Sequence, residues 1–145
     1  MDKIQYSPLS FNTTVEILKP WITDMNNPDF AKNGYVYGVD VKTSDVCSLC
    51  SGCVIAMVHE SRDMHGIVIQ YDSGHAFRYM HLKSISVSVG DLVQRSVRIG
   101  YADKFVHVEY LTNTTEKHQN PVRIGSVTYY KQDPTPYITG EQKYM

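Results

Sequence analysis

No stretch of this 145-residue chain approaches the about 18 consecutive apolar residues that a membrane-crossing helix needs, so membrane insertion is not expected. The N-terminal MDKIQYSPLSF has no apolar segment of the signal-peptide kind, which predicts a protein made in the cytosol. Charge of neither sign dominates: 14 Lys and Arg stand against 15 Asp and Glu, and no basic block exists to grip nucleic acid. Repeats and low-complexity segments are absent as well. Cysteine is scarce, with Cys47, Cys50 and Cys53 crowded into CSLCSGC. That spacing suits a metal, but a structural zinc takes four ligands and there is no fourth cysteine. His59 is the nearby residue that could complete a set. Three small reduced side chains in a β-rich segment are the simpler reading.

Helix signals are equally few. Residues 1–33 hold three prolines, an Asn-Asn pair and one short apolar run, VEILKPWI, in which Pro20 would end any helix. They read as an extended arm with at most a turn or two of helix. From Tyr35 onward the apolar period is two. YVYGVDV alternates. Cys53–Glu60 is a short apolar strand. Gly66–Tyr71 and Ala76–Leu82 flank DSGH as a hairpin. SISVSVGDLV, SVRIGYADKFVHVEY and GSVTYYK continue the pattern, and YADK reads as a tight turn between Gly100 and Phe105. The expectation is an all-β domain over 34–132, built as two packed antiparallel sheets or an open barrel, with an extended polar tail over 133–145. Phe11, Trp21, Phe30 and Tyr137 in the two arms are candidate anchors on a partner protein.

Strand parity sorts the polar candidates. Asp40 shares a face with Val36, His81 with Phe77 and Tyr79, and His107 with Phe105 and Glu109. Three polar groups on three strands, each among apolar neighbours, could converge on one site. Each histidine could equally be a core residue whose ring nitrogens meet backbone groups.

The run from Gly34 to Tyr110 resembles the lysostaphin-like, or LytM-type, zinc endopeptidases that cut peptidoglycan cross-bridges. VYGVD stands where that family has His-x-Gly-x-Asp. SGCVIAMV, the hairpin DSGHAFRYMHL, the turn VGDLV and RIGY follow in the family's order. FVHVE stands where it has His-x-His-Phe-Glu, and DPTPY matches its closing Asp/Asn-Pro and tyrosine. The resemblance implies a zinc held by the His and Asp of the first motif and the second His of the last. Asp40 and His107 match two of those ligands; Val36 occupies the third position. His81 matches one of the family's unliganded active-site histidines, and Phe105 occupies the position of the other.

A catalytic zinc needs three protein ligands and an open water position. Valine and phenylalanine can neither ligate nor transfer a proton. The expectation is therefore a catalytically degenerate module with no catalytic residue, metal or other cofactor, whose former site is repacked as core. Its partners would be other subunits of a larger assembly, a phage tail or baseplate in the first instance, with cell-wall glycan or peptide as a further contact. Made in the cytosol, it would end in the virion. The alternative is an active zinc endopeptidase in which Tyr35, Tyr37 or His65 replaces the missing ligand, His65 swinging in from the loop before the hairpin.

Overall fold

The computed structural model describes residues 3–4, 7–10, 14–21, 38–62, 64–113 and 121–141. Eleven strands follow one another among them: β1 (Lys3–Ile4), β2 (Val15–Lys19), β3 (Val39–Lys42), β4 (Asp45–Cys47), β5 (Gly52–Ser61), β6 (Met64–Asp72), β7 (His75–Ile85), β8 (Leu92–Val93), β9 (Arg98–Thr112), β10 (Val122–Ile124) and β11 (Val127–Gln132). A short helix, α1 (Thr135–Thr139), closes the described chain. The strands make one antiparallel sheet, not closed on itself, in the order β1-β2-β3-β9-β7-β6-β5-β8. β4 pairs with the start of β9, and the β10–β11 hairpin hangs on its end.

The all-β expectation holds. Its physical basis is the period-two placement of β-branched and aromatic residues, which gives each central strand one face for the core. Val39, Val41, Ile67, Ile69, Phe77, Tyr79, Val106 and Val108 are buried together on one side. The alternate residues Val68, Ala76 and Leu111 point the other way and are covered by Val122 and Tyr129 of the β10–β11 hairpin. The β6–β7 turn falls at Ser73-Gly74, and Gly74 takes a φ of 97° that a side chain would resist.

Three local expectations are corrected. YADK is not a turn: it lies within β9, which runs from Arg98 to Thr112, with Ala102 buried in the core and three extra β9 residues taken up between the Ala102–Leu82 and His107–Met80 pairs. VEILK, the helix candidate of the first 30 residues, is strand β2, whose Val15 and Ile17 are buried against β3. The 133–145 segment, expected to be extended, contains α1. Pro at its first turn suits a helix start, Asp133 Oδ1 accepts from the Thr135 N–H at 2.9 Å, and Gly140 ends it at φ 86°.

Wherever the two terminal segments are described, they pack on the domain. Leu9 is fully buried in the core, and its carbonyl accepts from the Cys47 N–H at 2.7 Å. Tyr137 sits edge-on to Phe77 and Tyr110, with Ile138 buried beside it. The Ser7 hydroxyl donates to the Ile138 carbonyl at 2.6 Å, which ties the two ends of the chain together. Trp21 leans on the same core. Phe11 and Phe30 lie outside the described residues.

Candidate functional site

Register brings the site together. Asp40 on β3 lies directly opposite His107 on β9. Glu109, two residues along β9, shares the face of His107 and lies opposite Arg78 on β7. Lys131 reaches in from β11. Four strands therefore supply five polar side chains to one spot. Gly38 makes room for the imidazole: a Cβ there would run into its Cε1 and Nε2.

Both ring nitrogens of His107 are held by carboxylates, Nδ1 by Asp40 Oδ1 at 2.7 Å and Nε2 by Glu109 Oε2 at 3.1 Å. Glu109 Oε1 accepts from Arg78 Nε and Nη2, each at 2.5 Å, and its Oε2 accepts from Lys131 Nζ at 3.0 Å. Lys19 Nζ stands 3.9 Å from Asp40 Oδ2. Asp40, His107, Glu109 and Lys131 are all buried. An unpaired charge at such depth would be costly, and each of these has a partner of opposite sign.

The electrostatics follow from this pairing. Burial by itself would push the Glu109 carboxyl up. The His107 hydrogen bond and the charges of Arg78, His107 and Lys131 outweigh it and bring the group down to about 2. Burial by itself would lower His107. The hydrogen bonds and charges of Asp40 and Glu109 win there too, and the imidazole is raised above its ordinary 6.5.

Next to the network lies a cavity of about 330 Å³ lined by Arg78, Met80, His81, His107, Glu109, Lys131 and Glu60. His81 reaches it through a break in β7. The pairing with β9 shifts register between Met80 and Leu82, and His81 adopts a φ of 68°. This bulge turns His81 off the face of Phe77 and Tyr79, where strict alternation puts it, and lets Leu82 join their core. Glu60 holds the bulge: its carboxylate accepts from the His81 N–H and lies 3.3 Å from His81 Nδ1. The ring of Phe105 leans on His81 with centroids 5.0 Å apart. Phe105 is half-buried and stands outside the main core, which corrects the expectation that it fills the interior.

Thus Asp40 and His107 meet as the sequence suggested, and His81 lines the same cavity while bonding to Glu60. Val36, Tyr35 and Tyr37 lie outside the described residues. His65 is not in a loop; it is part of β6, and its Nδ1 lies 2.9 Å from Nδ1 of His59 on β5. Cys47 and Cys50 are buried and Cys53 half-buried, with no disulfide among them. Burial raises the Cys50 thiol to about 12 against a smaller opposing hydrogen bond from Ser48. Glu60, Arg78, Glu109 and Lys131 were not singled out as site residues by sequence. Arg78 and Glu109, ionic side chains set in otherwise alternating strands, were the available signal.

No family model matches the sequence, and no curated protein matches it. Solved structures do. The chain superposes on lysostaphin with a TM-score of 0.62 at 22% identity, over 87% of this chain and 51% of that one. LytU matches with a TM-score of 0.62 at 20% identity, over 91% and 92% of the two chains. The fold is that of the lysostaphin-like peptidases. The chain spans about half the length of lysostaphin itself. The same fold appears in the SpoIIQ–SpoIIIAH pore-forming complex, with a TM-score of 0.61 at 15% identity over 86% and 84%.

The zinc implied by the lysostaphin-like fold does not fit the residues present. Of the ligand positions that the sequence resemblance implies, Asp40 and His107 carry donors and valine at position 36 has none. Both nitrogens of His107 are already committed to carboxylates. Arg78 and Lys131 supply the positive charge that a dication would bring, so an ion placed beside His107 would meet cations already paired with its carboxylates. Among the described residues no three His, Cys, Asp or Glu side chains are arranged to hold a metal.

Proposed function

We propose that this protein is a non-catalytic module on the lysostaphin-like peptidase fold, acting by binding within a larger protein assembly. The observation that carries this reading is the coordination of His107. The side chain matched to a zinc ligand has both nitrogens held by Asp40 and Glu109, and the charge of Glu109 is matched by Arg78 and Lys131. Such a network stabilises four strands against one another and leaves no imidazole lone pair of His107 for a metal. The occurrence of this fold in the SpoIIQ–SpoIIIAH complex is consistent with a protein partner. A phage tail or baseplate, with cell-wall glycan or peptide as a further contact, is the setting that the sequence resemblance suggests.

The test is a paired measurement on protein purified without chelator. Elemental analysis is expected to find no stoichiometric zinc, and incubation with peptidoglycan or a pentaglycine peptide no cleavage. About one zinc per chain, together with hydrolysis abolished by chelation and by His107→Ala, would establish the peptidase reading in place of this one.

A further inference from the structure

A second pair of histidines lies away from this site. His59 and His65 are directly opposed in the β5–β6 pairing, so their side chains rise from the same face of the hairpin. β6 and β7 separate β5 from β9 in the sheet, which sets the pair apart from His107. The two Nδ1 atoms are 2.9 Å apart and the ring planes cross at 85°. His59 is exposed and His65 half-buried, so an ion can reach both from solvent.

We propose that His59 and His65 form a chelating site for one transition-metal dication of the copper(II) or nickel(II) class. Donor type and the affinity order among first-row dications decide the class. Two imidazole nitrogens about 2.05 Å from an ion lie about 2.9 Å apart when they subtend a right angle at it, and about 3.3 Å apart at the tetrahedral angle. Without metal, the hydrogen bond between the rings sets the 2.9 Å separation, a span from which small ring rotations reach either geometry; for two imidazoles the affinity order puts copper(II) first. Imidazole is a donor that these ions favour, and solvent fills the remaining positions. Without metal, one Nδ1–H donates to the other Nδ1. On binding, that ring moves its proton from Nδ1 to Nε2 and both rings rotate, so that each Nδ1 lone pair turns from its neighbour toward the ion. Opposed positions on a paired hairpin fix the spacing in advance, so little ordering is left for binding to do.

Titration calorimetry of the tag-free full chain with copper(II) and nickel(II) salts tests this, with His59→Asn, His65→Asn and, as a control on the next hairpin, His75→Asn. The wild type and His75→Asn are expected to bind about one copper(II), more tightly than nickel(II) and more tightly than zinc(II). Each of His59→Asn and His65→Asn is expected to weaken copper(II) binding more than about tenfold, since one of two chelating donors is gone. Circular dichroism of each variant verifies that the hairpin is folded. Absence of copper(II) binding at micromolar protein, or unchanged affinity in both variants, would overturn the site. Tighter binding of zinc(II) than of copper(II) would overturn the assigned class.

Discussion

Glu109 accepts hydrogen bonds from side chains on β7, β9 and β11 at once, so its charge holds more of the structure than any other single group in the network. Glu109→Gln keeps the shape and removes the charge, leaving the half-buried Arg78 and the buried Lys131 against a neutral amide. A loss of about 3 kcal/mol in urea-unfolding stability is expected. The pH dependence has a definite sign. The folded carboxyl sits at about 2 against an ordinary 4.5, so between those values the unfolded chain binds more protons than the folded one. Its contribution, on the order of 3 kcal/mol, is complete above 4.5 and lost as pH falls toward 2. His107 is raised above 6.5, so its contribution is complete below 6.5 and fades as pH climbs past the folded value. Unfolding free energy measured across pH is expected to plateau between 4.5 and 6.5, with the acid limb shallower in Glu109→Gln. Cys50, with its thiol raised to about 12, is expected to react with a disulfide reagent only after denaturant is added.

At the scale of elements, the bulge in β7 matters most. A non-glycine residue at positive φ costs on the order of 1 kcal/mol, and here the Glu60 carboxylate compensates by capping the His81 amide. Glu60→Ala is expected to destabilise the protein by about 1.5 kcal/mol and to speed hydrogen exchange at the His81 amide, read by NMR, well beyond that at Phe77. This bulge also marks where the sequence stops being legible. Period-two alternation located β5, β6 and β7 and the Ser73-Gly74 turn, because burial on one face forces that period, whereas the meeting of Asp40 and His107 is implied only by the family resemblance. Alternation could not place His81, since nothing in RYMHL announces a positive φ. Nor could it reveal the partners of His107. Lys131 is nearly the last residue of β11, and its contact with Glu109 depends on a hairpin docking that no local pattern encodes. In the same way, DPTPYITG carried a helix start and stop that its polar, proline-containing character concealed.

At the scale of the described residues as a whole, Leu9 from one terminal segment and Tyr137 and Ile138 from the other complete the core. Removal of residues 134–145 deletes Tyr137 and Ile138 and strips the acceptor from Ser7, so a loss of about 4 kcal/mol is expected from the two buried side chains. The single tryptophan, Trp21, leans on the same core and can report that unfolding by its fluorescence. Limited proteolysis of the intact chain is expected to spare 15–19 and 135–140. The sheet's layout also bears on how the chain comes to be made. β9 is the shared neighbour of β3, β4, β7 and β11, yet it is translated after 97 of the residues before it. Until β9 emerges, β3 has only β2 and β7 only β6 to pair with, and each presents one unpaired edge. Folding of this sheet therefore waits until β9 has been made and proceeds slowly through long-range pairings. Over that interval the nascent polypeptide is open to aggregation and is a natural client for a chaperone that shields exposed strand edges.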